Sequence, residues 1–446
     1  LMGINFSRVL TLRYGPSMSQ YLGTKFTVLS VGRVMTCVLG MVVRREREIR
    51  NFVKTPFYRV LGSFQATAKD GTPVLLDAEW KAVEGSKYFG TPYLYKENGF
   101  KEREKAEELI AYLKEEPPLE AKVLSKEKKK ETKNPPLLYN LAELQNDCSK
   151  MFKISPDETL KVVQELYEKK LVTYPRTDAR VLSTAVAKEI YKNINGLMRY
   201  EPMAGFAKEA MNLGSFKGIA KTRYVNDKQI TDHYAIIPTG QGMGNLRGLS
   251  PLSEKVYQVV CRRFLSIFYP AAIYQKYSLV LERKKEQFFA SFKVLSEPGY
   301  LKVADVNLAK KSSIQETFSD EKEGNSAQTD EKNAEIPKVD RTLLLQVLAD
   351  LKKNAILTIA DLKVKEGETS PPKRYTSGSM ILAMENAGQL IEDEDLRSQI
   401  KGSGIGTSAT RAEILKKLFN IKYLSLNKKT QVITPTLQGE MIYDVV

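Results

Sequence analysis

The sequence predicts a multidomain α+β protein, and three observations lead there. The chain has 446 residues, more than one hydrophobic core usually organises. Its apolar periodicity switches from helical to alternating and back, twice, in the order helix, strand, helix, strand, helix. Hydrophobic residues at 42% and charged residues at 27% are the balance of ordinary globular domains.

Residues 1–50 read as mainly helical. From Val31 to Phe52 a glycine turn leads into Val38-Leu39-Gly40-Met41-Val42-Val43 and then Arg44-Arg45-Glu46-Arg47-Glu48, an apolar face followed by a charged one. Between 53 and 100, aromatic and β-branched residues alternate with polar ones around Phe57-Tyr58-Arg59-Val60 and Pro73-Val74-Leu75-Leu76. Gly62, Gly71, Gly85 and Gly90 punctuate them, which predicts antiparallel strands. A helix is expected from about Lys101 to Lys114. The Lys/Glu-rich stretch after it, ending at Asn134-Pro135-Pro136, reads as a hinge.

Residues 137–262 are again helical, with Pro156-Asp157-Glu158-Thr159 opening one helix. Strand character returns over 271–304, in Tyr277-Ser278-Leu279-Val280-Leu281 and Phe288-Phe289-Ala290-Ser291-Phe292. Residues 311–338 have little apolar content and suit a flexible loop. The acidic run Glu392-Asp393-Glu394-Asp395 reads as a solvated loop. Residues 373–446 return to helix, with a short hairpin near Tyr423–Val432. Strands that resume after a helical insertion suggest one domain interrupted by another.

Charge narrows the function classes. Lys plus Arg is 69 against 53 for Asp plus Glu, a formal +16, which attracts polyanions such as nucleic acid. Cys37, Cys148 and Cys261 form no C-x-x-C pair, so no zinc ribbon is expected. The single histidine, His233, limits any histidine-based metal cluster or triad. No apolar run is long enough for a membrane span. No Gly-Lys dipeptide is present, so no Walker A loop and no ATP are expected.

Four segments carry chemistry. Leu171-Val172-Thr173-Tyr174-Pro175-Arg176-Thr177-Asp178 sets a phenol two residues before a guanidinium, with Pro175 fixing the backbone between them. A phenol titrates near about 10 and is a weak nucleophile unless its surroundings help it, and an arginine fork can stabilise charge on a phosphate. Thr231-Asp232-His233-Tyr234-Ala235-Ile236-Ile237-Pro238-Thr239 places the histidine before an apolar run. Ser30-Val31-Gly32-Arg33-Val34 offers backbone N–H groups and Arg33 to a phosphate at a helix start. Lys401-Gly402-Ser403-Gly404-Ile405-Gly406-Thr407-Ser408-Ala409-Thr410-Arg411 joins a glycine turn to hydroxyls and an arginine, again suited to a sugar-phosphate backbone.

Taken together and in this order, these segments resemble the type IA DNA topoisomerases. Gly3-Ile4-Asn5-Phe6-Ser7-Arg8 is similar to that family's G-x-N-[ST]-R segment, and Ser30–Val34 to its S-x-G-R-V. Pro135-Pro136-Leu137 through Leu144-Gln145 resembles its P-P-x…L-Q entry. Tyr174–Asp178 matches Y-x-R-T-D, and the Tyr-Pro-Arg-Thr-Asp form favours the topoisomerase III branch. His233–Thr239 matches H-x-A-I-x-P-T, Gly404–Arg411 the G-I-G segment, and Thr434-Pro435-Thr436 a late T-P-T.

The resemblance implies a toroid. Residues 1–50 and 340–446 would form a split helical DNA-binding domain, 51–133 and 263–339 a strand-rich arch, and 134–262 the helical domain bearing the tyrosine. It implies a 5′-phosphotyrosine link at Tyr174, with Arg176 holding the scissile phosphate, and ATP-independent cleavage, strand passage and rejoining. His233, Arg33, Arg8, Thr177, Asp178, Gln145, Ser408, Thr410 and Arg411 would contact DNA. Single-stranded and negatively supercoiled DNA would be the partners of a cytoplasmic, nucleoid-associated monomer. Two departures stand out. Met35 occupies a position where the family usually has Gln. The Toprim domain with its acidic metal site is not among residues 1–446, so the chain reads as a fragment that needs that domain for full activity, Mg²⁺ is expected only with that domain, no zinc is expected, and a single-stranded DNA clamp without catalysis is the rival reading.

Overall fold

Three hydrophobic cores organise the chain, each assembled from segments far apart in sequence. The computed structural model describes residues 2–304, 315–316, 341–390 and 404–446. The acidic run 392–395 and residues 401–403 lie outside the described residues, as does the expected loop 311–338 apart from 315–316, which pair with strand Glu286–Glu297.

The first core joins the two ends of the chain. Helix Arg33–Asn51 buries Met35, Val38, Leu39, Val42 and Val43 on one face, the stripe its sequence predicts. These side chains meet Met380, Ile381 and Met384 of helix Ser377–Glu385, Leu415 and Leu418 of helix Arg411–Asn420, and Tyr423, Ile433 and Ile442. The polar face of Arg33–Asn51 is also engaged. Arg50 forks onto Glu440 at 2.6 and 2.8 Å, and Arg47 pairs with Asp444 at 2.7 Å.

Glu46 is buried on that helix and accepts both arms of the Arg374 fork, at 2.7 and 2.8 Å. The hydrogen bond from Arg374 is the largest cause holding its carboxyl below the ordinary value of 4.5. A depressed carboxylate stabilises the fold above its unfolded pKa, and that contribution is lost as pH falls through the lower folded value. Glu46→Gln is therefore expected to cost about 2 kcal/mol at pH 7, the range for a charged hydrogen bond. Denaturant titrations of both proteins should converge as the pH falls through the lowered folded value of the Glu46 carboxyl.

The second core is a closed barrel. Six antiparallel strands pair in a ring: Pro56–Thr67, Pro73–Lys81, Glu286–Glu297, Ala272–Arg283, Glu120–Lys133 and Ile356–Glu368, which returns to Pro56–Thr67. Closure removes the exposed strand edges that would otherwise seek partners. Phe64, Trp80, Phe288 and Phe292 fill the inside, and Trp80 stacks on Phe100 at 4.9 Å.

Two expectations are corrected here. The Lys/Glu-rich run is a strand rather than a hinge: residues 122–133 pair with strand Ala272–Arg283, and Lys128 lies 5.5 Å from the Tyr277 ring. Lysine stems cover apolar surface while their heads stay wet, so composition alone misleads. The second half of the helical DNA-binding domain, expected over 340–446, starts later in the chain. Instead, helix Arg341–Asp350 packs on the barrel core and Ile356–Glu368 is one of its staves.

The third core belongs to the middle of the chain. Helices Leu141–Phe152, Pro156–Glu168, Glu201–Leu213 and Pro251–Ser266 enclose Leu144, Leu166, Met203, Val256 and Phe264. Ser155 and Glu158 form a reciprocal capping box at the start of Pro156–Glu168, as the Pro-Asp-Glu opening suggests. No helix among the described residues is long and apolar enough to cross a membrane.

Candidate active site

Tyr174 sits on an irregular loop that leaves helix Pro156–Glu168. Lys170, at φ 61°, turns the chain out of that helix, and Leu171 and Val172 then anchor it in the third core at 0% and 1% exposure. From there the loop runs beside residues 233–239, bridged at Val172 and Pro238. Threonine hydroxyls fasten the two segments. Thr173 donates to the Ala235 carbonyl and accepts from the Ile237 N–H, both at 3.0 Å. The Thr177 hydroxyl donates to the His233 carbonyl at 2.8 Å, and that of Thr239 to the Lys170 carbonyl at 2.6 Å.

This clamp fixes the rings. Tyr174 is half-buried, with the His233 ring 4.3 Å away and the Tyr167 ring edge-on at 5.5 Å. A cleft of about 550 Å³ opens over them, lined also by Lys170, Thr173, Thr239 and Gln241. His233 and Arg176 are exposed, so phenol, imidazole and guanidinium all reach solvent from one clamped unit. That arrangement suits a nucleophile facing an anion that cationic donors hold. Thr173→Val keeps the shape but strands the Ile237 N–H. It is expected to cost about 1–3 kcal/mol, read by denaturant titration, with faster amide exchange across 233–239.

The other expected contacts divide sharply. Arg8 and Ser30 line a second cleft of about 700 Å³ with Ser7, Thr11 and Lys417, and Arg8 is exposed there. Arg33 is exposed at the first position of helix Arg33–Asn51. The backbone N–H groups of Ser30, Val31 and Gly32 are already taken, which removes three donors from the expected phosphate cradle. Ser30 donates to the Tyr423 hydroxyl, Val31 to the Ser7 hydroxyl and Gly32 to the Thr36 hydroxyl. Met35 is 7% exposed inside the helical core, so it faces no ligand surface.

Gln145 and Thr177 are also enclosed, at 1% and 4% exposure. The Gln145 amide donates to the Pro156 carbonyl at 3.0 Å, so it serves packing rather than a DNA surface. Thr410 is exposed and shares a hydrogen bond with Thr407, and Ser408 is half-buried beside it. The turn they ride on needs its glycine: a Cβ at Gly404 would lie 2.7 Å from the Glu385 carbonyl oxygen. Arg411 is buried beneath the turn and pairs with Asp178 at 2.8 Å.

Sequence reading passed over four contributors. Asn140 caps helix Leu141–Phe152 and donates to both the Asp178 carbonyl and the Glu385 carboxylate. Burial pushes the Glu385 carboxyl up, against the pull of Arg411. Tyr167 and Thr173 flank the phenol. The only sequence signal for any of them is local: an Asn before an apolar helix and a hydroxyl next to the tyrosine. Among the described residues, no three or more His, Cys, Asp or Glu side chains are grouped to hold a metal ion, so no donor set for Mg²⁺ is offered here.

The family model of DNA topoisomerases matches residues 1–446. Over 453 aligned positions the chain is 32% identical to DNA topoisomerase 3 of Bacillus subtilis (strain 168), covering all of this chain and 53% of that protein. DNA topoisomerase 3 of Bacillus licheniformis is 30% identical over 450 positions, with 100% and 52% covered. The chain thus spans about half the length of the curated relatives it matches. Full-length topoisomerase I from Thermotoga maritima superposes with a TM-score of 0.58 at 23% identity, covering 98% of this chain and 59% of that one, which is a likeness of fold.

Proposed function

The chain belongs to the DNA topoisomerase family, in the type IA, topoisomerase III-like branch, and on that premise we propose that it cleaves and rejoins one strand of DNA through Tyr174. The observation carrying this reading is the clamped unit in which the Tyr174 ring packs against His233 at the floor of a solvent-open cleft, with Arg176 exposed two residues on.

In the proposed step the phenol oxygen attacks a backbone phosphorus. A phosphotyrosine bond forms to the 5′ side and the bond to the 3′ oxygen breaks. The phenol proton leaves to solvent or a base, and the departing 3′ oxygen takes up a proton. Rejoining is the same exchange reversed, so the phosphodiester energy is retained and no ATP is consumed. Arg176 offers positive charge, and Arg176 and His233 offer hydrogen bonds, where phosphate charge develops. The exposed Arg8 and Arg33 and the net charge of +16 fit a single-stranded segment held along the helical core. Negatively supercoiled DNA, which exposes such segments, is the proposed substrate, and the nucleoid the proposed place of action.

The test uses an end-labelled single-stranded oligonucleotide, a detergent quench and a denaturing gel. A labelled protein adduct supports the reading. Salt-sensitive binding with no adduct would make the chain a single-strand clamp, and no binding at low salt would overturn both.

A further inference from the structure

Arg411 is the cation that its motif offers to phosphate, yet its side chain is 5% exposed. Three of its five N–H donors are engaged inside the protein, one on each nitrogen. Nη1 reaches the Asp178 carboxylate at 2.8 Å, Nη2 the Gly406 carbonyl at 3.2 Å and Nε the Ile405 carbonyl at 3.3 Å. A guanidinium so enclosed cannot also present a fork to DNA. Asp178 is held from its other side as well. Its carbonyl accepts from Asn140 at 3.1 Å, and the neighbouring Thr177 carbonyl accepts from the Leu141 N–H at 3.1 Å. The loop bearing Tyr174 and the Gly404–Thr410 turn come from different cores, and this ion pair joins them directly.

We propose that Arg411 is a positioning residue, which registers the Gly404–Thr410 turn against the Tyr174 loop by acting through Asp178 rather than on DNA. The inference rests on the reading of Tyr174 as the nucleophile. The Thr407 and Thr410 hydroxyls stand exposed on the outer side of that turn, where a sugar-phosphate backbone can reach them. A strand lying on them would then sit at a fixed offset from the phenol, and offsets near 1 Å are enough to change such rates by about 100-fold.

The test compares the full chain with Arg411→Gln, Asp178→Asn, the double variant and the conservative Asp178→Glu. Single-strand affinity is measured across a salt series, adduct formation is timed, and amide exchange is followed over 171–181. Affinity within about two-fold of the parent, with an unchanged salt slope, is expected throughout. Adduct formation should fall about 10- to 100-fold in each single variant and no further in the double, with recovery in Asp178→Glu and faster exchange over 173–179 in the impaired variants. A salt slope reduced by about 1 in Arg411→Gln but not in Asp178→Asn would show direct phosphate contact and overturn the proposal. Additive losses or unchanged exchange would also overturn it. If Arg411→Gln does not fold, Asp178→Asn decides alone. If the parent chain forms no adduct, the Tyr174 reading is what has failed, and the salt and exchange arms still decide the role of Arg411.

Discussion

Tyr174→Phe is expected to abolish adduct formation, a fall of more than about 1,000-fold, while leaving single-strand affinity within about two-fold. The first half follows from the chemistry: without the phenol oxygen there is no atom to form the phosphotyrosine bond. The second half follows from the structure. The ring makes its contacts with Tyr167 and His233 through its faces and edges, and phenylalanine keeps both. The clamp is built from Thr173, Thr177 and Thr239, none of which touches the phenol hydroxyl. Arg8, Arg33 and Arg176, the proposed strand contacts, remain exposed. Labelled-oligonucleotide gels and fluorescence anisotropy on the same preparation separate the two effects. Residual adduct in Tyr174→Phe would move the nucleophile to another tyrosine, with Tyr167, at 38% exposure on the rim of the same cleft, the first to replace.

The segments proposed to carry the chemistry are readable in the sequence because each is contiguous. Tyr-Pro-Arg-Thr-Asp and His-Tyr-Ala-Ile-Ile-Pro-Thr keep their identity without reference to anything distant. What joins them is not contiguous. The Thr173 hydroxyl reaches Ala235, 62 positions away, and Arg411 reaches Asp178 across 233. No local pattern encodes either pair. Burial is the other thing that the sequence does not disclose. Gln145 and Arg411 are residue types that often touch DNA, and whether they do depends on which face of a helix the distant core covers.

The stave Ile356–Glu368 was hidden for a different reason. Its buried positions begin as Leu357 and Ile359 and then skip to Leu362, because the register against Pro56–Thr67 shifts between Ser63 and Phe64. A bulge of one residue breaks the period of two by which a half-buried strand is recognised. The lysine-rich stave Glu120–Lys133 fails the same test at its exposed end, where 127–133 all reach solvent. Barrel closure is thus a tertiary fact: each of these strands has its ladder supplied by neighbours that the sequence places more than 130 or 200 residues away.

Gly196→Ala should unfold the body that carries the tyrosine, and the reason lies under the histidine segment. Helix Tyr191–Leu197 crosses beneath residues 238–240, with the Asn193 side chain donating to the Pro238 carbonyl at 2.9 Å. A Cβ at Gly196 would lie 2.0 Å from the Gly240 carbonyl oxygen and 2.4 Å from its Cα. Both are backbone atoms, so no rotamer change relieves the overlap. Gly240 cannot step aside easily either, since it sits at φ 73° against the backbone of Lys192 and Asn193. Ordinary overpacking costs about 1–3 kcal/mol where side chains can shift, and a backbone-on-backbone clash belongs above that range. The strain would fall on Thr239, whose N–H and hydroxyl tie it to Leu171 and Lys170 at the base of the tyrosine loop. The expected result is a loss of more than about 3 kcal/mol in denaturant titration, with the His233 and Tyr174 segments losing exchange protection together. Full stability in Gly196→Ala would mean that the helix can slide away from the histidine segment, and the rigid backing assigned here to the site would have to be abandoned.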